Sequence, residues 1–231
     1  MIINQYLVDG TKQSVMKIAT TRVETFSDGV IAIILTIMVL ALKLPDFTHG
    51  DTEWGMRHYL VQILPYFVSY AFSFMMIGIF WVHHHHMFHL LKRTDEKLLW
   101  LNLIFLFWMS LIPIITAVVG ANPRLSESLA LYGFVLLMTT IAFAFMRSYT
   151  IKKDLVHKSD DRTMNRKIRT VSIKAKTKSF IVAFVYLLSI PLAYVSIYIA
   201  YACFVGAAIV FFIPDGIDDE RLAEKIIENN Q

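Results

Sequence analysis

The chain has 231 residues, of which 56% are hydrophobic and 17% charged, with a mean hydropathy of +0.55. Soluble domains run nearer half apolar and about a quarter charged, so a soluble enzyme is disfavoured. Aromatic residues at 13%, with so few charges, also exclude a disordered chain.

The net charge is +4, from 22 Lys and Arg against 18 Asp and Glu. In a membrane chain its placement matters more than its sum. The single cysteine, Cys203, lies in an apolar run and forms no internal disulfide. Residues 1–20 are mixed polar, without an apolar core before a small-residue cleavage site, and read as lacking a cleavable signal.

A helix needs about 20 apolar residues to cross a bilayer. Six runs qualify in chain order: 30–44 (extending back through Phe26), 59–82, 98–119, 128–146, 180–193 and 194–213. The last two nearly touch, which predicts a tight turn around Pro191. The expected fold is an all-α integral membrane protein with six transmembrane helices in one domain, 1–231. Helices one to four fall within 22–146 and helices five and six within 179–213. A basic cytoplasmic loop at 147–178 and an acidic cytoplasmic tail at 214–231 complete it.

Six spans put both termini on one side. With the termini inside, the inner segments hold 19 Lys and Arg and the outer segments 3, namely Lys43, Arg57 and Arg124. That bias predicts cytoplasmic termini. The segment 147–178 carries 11 basic and 3 acidic residues. A nucleic-acid arm is one reading of such a run. Spans flank it on both sides, so it reads instead as a topology-setting loop that meets anionic lipid heads; no nucleic acid is expected.

The first span opens with Arg22-Val-Glu-Thr-Phe26-Ser27-Asp28-Gly29. An ionisable group at the edge of hydrocarbon faces protein or water, so Asp28 needs a partner. Arg22 and Asp28 are six steps apart, about 240° around a helix, and do not share a face. Each is therefore expected to bond to another helix. Donors at the same depth lie in Trp81-Val-His83-His84-His85-His86, at the end of span two, and at Asn102 near the start of span three.

These residues also carry a resemblance. Arg22, Phe26, Ser27 and Asp28 match the R-x-x-x-F-S-D signature of the lysosomal potassium channel family, transmembrane protein 175. Trp81-x-x-His84, Thr94-Asp95, Leu101-Asn102-Leu103 and Pro113 are similar to that family's second and third helices. The resemblance covers roughly 22–113. Animal members carry two six-helix repeats and form dimers. One repeat resembles the prokaryotic form, which implies a homotetramer around a central pore lined by the first helix, in the inner membrane of a prokaryotic cell.

The helical pattern can be set against that implication. At about 100° per residue, Arg22, Phe26, Gly29, Ile33, Thr36, Ile37 and Leu40 form one stripe, with Asp28 on the far side. Periodicity alone reads such a stripe as ordinary helix packing. The resemblance turns it toward a pore. The chain has no T-V-G-Y-G loop, hence no carbonyl cage. Four Ile33 side chains would make a dry constriction, continued by Ile37 and Leu40, of the kind that gates by dewetting. Thr36 would offer a hydroxyl to a partly stripped ion and bias the choice of ion. Potassium, which sheds water more readily than sodium, would pass with moderate selectivity.

Four consecutive histidines raise a metal reading. His85 and His89 are i,i+4, and His86 and His89 are i,i+3. The others, His49, His58 and His157, are isolated, too few for a di-iron site. The run therefore reads as a helix end at the interface, with His84 serving the motif network of Arg22, Phe26, Ser27, Asp28, Trp81, His84 and Asn102. No catalytic residues, metal or cofactor are expected, and no enzyme. The expected function is a passive potassium-permeable channel whose partners are potassium ions, membrane lipid and other copies of itself. A proton-conducting channel or a proton-coupled transporter is the alternative. Transporters favour helices broken near mid-membrane, whereas span one has no Pro and span two only Pro65, near its outer end.

Overall fold

The computed structural model describes residues 2–42, 53–156 and 162–213, and these hold seven α-helices. Helix α1, Ile2–Ile37, runs unbroken from the polar start into the first apolar run and tightens into a 3₁₀ turn, Met38–Ala41. Helix α2 is Glu53–His89, α3 Glu96–Ser110, α4 Ile112–Ala121, α5 Ser126–Lys152, α6 Arg162–Val195 and α7 Ile197–Phe212. Five stretches are long and apolar enough to cross a membrane: 20–40, 59–89, 96–121, 126–152 and 169–195; α7 is a shorter apolar helix. The expectations resting on Lys43, His49, His157 and the tail 214–231 lie outside the described residues.

Three boundaries differ from the sequence reading. Span three is two helices in line, α3 and α4, separated at Leu111. Pro113 sits in the first turn of α4, where its missing N–H costs least. The turn between spans five and six lies at Ser196, not at Pro191, which is inside α6. Proline is tolerated within membrane helices, and the break falls where Ser196 adopts an extended backbone, φ −159° and ψ 123°.

The third difference is the basic loop. Of 147–178, residues up to Lys152 are the end of α5, and from Arg162 onward they are α6. Lys and Arg are good helix formers, and 162–190 contains no Gly or Pro to interrupt them. At 1.5 Å per residue α6 is about 51 Å long, against a hydrocarbon core of about 30 Å, so its basic end projects beyond the membrane. Asp154, at φ 53°, reverses the chain after α5. The reversal is held by Lys92 N donating to Leu155 O at 2.8 Å and by a bridge between Leu91 and Val156.

Helix α5 is the centre of the bundle, packed against α3, α4, α6 and α7. Its two mid-helix threonines are satisfied within the helix: Thr139 donates to Val135 O and Thr140 to Leu136 O, each at 2.8 Å. A buried polar joint also links α2, α4 and α5. Ser73 Oγ of α2 stands 2.7 Å from Tyr132 Oη of α5 and 2.8 Å from Thr116 Oγ1 of α4. Helices α5 and α6 approach closely at Gly133, where a Cβ would lie 2.6 Å from Ser189 Oγ.

Candidate functional site

The polar residues at the start of the apolar part of α1 are held by two separate anchors. The first is a buried chain of hydrogen bonds. Ser27 Oγ donates to Val23 O at 2.8 Å, Asn102 Nδ2 donates to Ser27 Oγ at 2.8 Å, and Asn102 Oδ1 lies 2.9 Å from His84 Nε2. An amide oxygen only accepts, so His84 donates from Nε2. Ser27, His84 and Asn102 are all fully or almost fully buried. The His84 ring is stacked between Phe88 and Phe105, at centroid distances of 4.4 and 5.6 Å. The chain thus ties α1 to α2 and α3.

The second anchor is Trp81 Nε1, which donates to Asp28 Oδ1 at 2.9 Å. A charge-assisted bond of this kind is the partner that Asp28 requires at the edge of hydrocarbon. The sequence expectation that Arg22 joins this network is not met. Arg22 is exposed and takes part in none of these bonds. It lies about 240° from Asp28, on the side of Phe26.

The stripe is bare in the single chain. Ile33 is 56% exposed, Ile37 49% and Leu40 76%, with Phe26, Gly29 and Thr36 exposed as well. On the opposite side of α1, Ile31, Ile34 and Met38 are buried in the core. Thr36 Oγ1 donates to Ile33 O at 2.9 Å, which uses its proton and leaves its oxygen lone pairs on the exposed side.

The histidine run does not form one cluster, because successive residues of a helix point in different directions. His83 Nε2 lies 3.1 Å from Phe211 O of α7, His84 faces α3, and His85 Nδ1 lies 3.2 Å from Glu24 Oε1 of α1. The His85–His89 pair considered from spacing is a ring contact at 4.8 Å between centroids.

One further joint escaped the sequence reading. Asp95 Oδ1 caps α3 by accepting from Leu98 N at 2.9 Å, while Oδ2 accepts from Tyr149 Oη of α5 at 2.5 Å. An Asp immediately before an apolar run is a recognisable helix start, but nothing in the sequence pairs it with Tyr149.

The chain is similar to known proteins. The family model described as the endosomal/lysosomal potassium channel TMEM175 matches residues 22–113, the segment that contains both anchors. A Chryseobacterium protein named as a potassium channel is 38% identical over 208 residues, spanning 90% of this chain and 98% of its own. The bovine endosomal/lysosomal proton channel TMEM175 is 33% identical over 100 residues, 40% of this chain and 20% of its own. The crystal structure of a lysosomal potassium-selective channel TMEM175 homolog from Chamaesiphon minutus superposes with a TM-score of 0.71 at 25% identity, covering 85% of this chain and 97% of that one.

Proposed function

This chain belongs to the TMEM175 potassium channel family, and from that premise we propose that four copies of it enclose a pore lined by α1. It is a multi-pass integral membrane protein, an ion channel and not an enzyme. The observation that carries the pore reading is the division of α1. One face is buried and pinned by the Ser27–Asn102–His84 chain and the Trp81–Asp28 bond. The other leaves Ile33, Thr36, Ile37 and Leu40 exposed.

In the tetramer those residues of four α1 helices face one another. The Ile33 ring is the narrowest point, with Ile37 and Leu40 continuing the dry stretch. An ion crossing it loses water and gains no ligand there, so the ring sets the main barrier. Four Thr36 oxygens, one turn further along, supply partial ligation to a stripped ion. Potassium is favoured over sodium to a moderate degree, because its dehydration costs less. The anchors place the pore helices: Ser27 and Asp28 fix the start of each apolar stripe against Trp81, His84 and Asn102. Arg22 and Phe26 stand at the mouth.

The excess of Lys and Arg in the inner segments supports a cytoplasmic side for the termini and the basic end of α6, in a prokaryotic inner membrane. That end of α6 rests among anionic lipid headgroups. The exposed apolar residues of α2, α6 and α7 meet acyl chains.

The name of the bovine relative supports a second reading, proton conduction through the same pore. Flux from proteoliposomes decides between them. Potassium efflux driven by its own gradient, without a pH gradient, supports the channel. Flux that requires a pH gradient supports a coupled transporter, and acidification without potassium supports the proton pathway.

A further inference from the structure

Glu24 and Asp28 are one turn apart on the same face of α1, and His85 of α2 stands over both. One ligand atom from each of the three lies within 4.8 Å of the other two. Asp28 has Oδ1 occupied by Trp81 and keeps Oδ2 available. His85 Nδ1 is 3.2 Å from Glu24 Oε1, yet it makes no hydrogen bond and is shut off from solvent. We propose that Glu24, Asp28 and His85 form a binding site for one divalent transition-metal ion, with Zn²⁺ the best chemical fit.

The ligand set is the first argument. Two carboxylates and an imidazole, with a position left for water, make an open zinc site of three protein ligands. Ions such as Ca²⁺ and Mg²⁺ prefer all-oxygen surroundings and more ligands, so the imidazole selects against them. Spacing is the second. Ligand atoms at about 2.0–2.1 Å from a tetrahedral zinc stand about 3.3 Å apart. The Glu24–His85 pair already has that separation. The third argument is support from the surroundings. Trp81 holds Asp28 from behind, the role that outer-shell partners play at metal sites. The ion also neutralises two carboxylates gathered at the edge of hydrocarbon, and it resolves the unpaired Nδ1. When bound it bridges α1 to α2 beside the Trp81–Asp28 bond. Binding itself does not depend on the pore reading.

The test is zinc titration of the full chain, with any affinity tag removed and the protein stripped by chelator, followed by calorimetry. The expected result is one zinc per chain and a raised melting temperature, since a ligand that binds the folded state stabilises it. Cobalt loading should give the visible absorption of a four-coordinate ion. Glu24→Gln and His85→Gln should each weaken zinc binding at least ~10-fold, a loss that even disturbed outer-shell partners produce. His89→Ala should leave it nearly unchanged. Both substitutions at the site spare the Trp81–Asp28 bond. Glu24→Gln keeps the side-chain shape, and it decides the matter alone should His85→Gln fail to assemble. Absence of stoichiometric zinc binding overturns the proposal and leaves Glu24 and His85 as a plain side-chain contact. Zinc binding that survives both substitutions overturns it equally, by placing the metal on other histidines.

Discussion

Helices α1 and α5 are both long, apolar and continuous, yet they sit in opposite situations. In α5, 72% of the membrane-spanning window is buried within the chain, whereas in α1 the figure is 22%. Helix α5 is the post around which α3, α4, α6 and α7 pack, and its polar groups are mostly hydroxyls that bond to their own helix. Helix α1 packs on its chain along one face, and its Ser27 and Asp28 anchors to other helices lie at the start of its apolar stretch. A helix that carries the fold needs packing along its whole length. A helix held at one end, with its other face bare, is placed to meet something outside its own chain.

The contrast is broken most severely by removing the anchor. Asn102→Ala deletes the link between Ser27 and His84 and leaves the His84 Nε2 proton buried without an acceptor. Buried polar groups stripped of partners cost about 1–3 kcal/mol each. The expected result is a loss of about 2–6 kcal/mol for the two groups, Ser27 Oγ and His84 Nε2, read as a lowered melting temperature and loss of the assembled species on size-exclusion chromatography in detergent. Asn102→Asp, which can still accept from His84, should lose less. An Asn102→Ala protein as stable as the wild type would remove the anchor's structural role.

Paired glycine substitutions sharpen the contrast next. Gly133 of α5 has no room for a Cβ, because Ser189 Oγ would be 2.6 Å away. Gly29 of α1 has nothing within 4 Å of the same added atom. Overpacking a fitted core costs about 1–3 kcal/mol, so Gly133→Ala should lower the melting temperature while Gly29→Ala in the dissociated chain should not. If Gly29→Ala instead weakens assembly without altering the melting of the single chain, α1 meets other copies at that level.

At the proposed constriction the readout is current. Ile33→Asn puts four amides into the dry gap and lets it wet. The barrier enters conductance exponentially, about 1.4 kcal/mol per tenfold, so even a modest reduction should raise single-channel current about tenfold, with sodium gaining more than potassium. Planar-bilayer recording checks it. An unchanged conductance would move the constriction to Ile37 or Leu40, or take α1 out of the pore.

Much of this was legible in the sequence because hydrophobic run length and charge placement are strong signals in membranes. The helical fold, the spans and the need of Asp28 for a partner on α2 or α3 all follow from them. Helix boundaries were less legible. A turn was expected at Pro191 because the last two apolar runs nearly touch there, but in α6 the chain continues past it to Val195. The basic segment was read as a loop because spans flank it on both sides, and a polar connection between spans can still be helical. The site was half legible. Trp81 and Asn102 were named as partners from depth alone. Arg22 was grouped with them by motif even though its angle already set it apart. Glu24 was passed over because one Glu in a polar stretch carries no signal until the fold brings His85 to it.

The smallest effect is expected at Thr36, and it separates ligation from simple blocking. The Thr36 hydroxyl proton is donated to Ile33 O, so what faces outward is oxygen. An oxygen can stand in for one water of a partly dehydrated cation; a methyl group cannot. Thr36→Val keeps the shape and removes that oxygen. Thr36→Ala removes both, and Thr36→Ser keeps the oxygen while trimming the methyl. If ligation matters, Val and Ala should both lower potassium preference over sodium by about threefold, equivalent to ~0.7 kcal/mol at 1.36 kcal/mol per tenfold. Ser should stay near wild type. Total current should change little if, as proposed, Ile33 and not Thr36 sets the main barrier. Bi-ionic reversal potentials for the three variants give the answer. A preference that follows side-chain volume, with Val resembling wild type and Ser resembling Ala, would mean that Thr36 selects by size rather than by its oxygen.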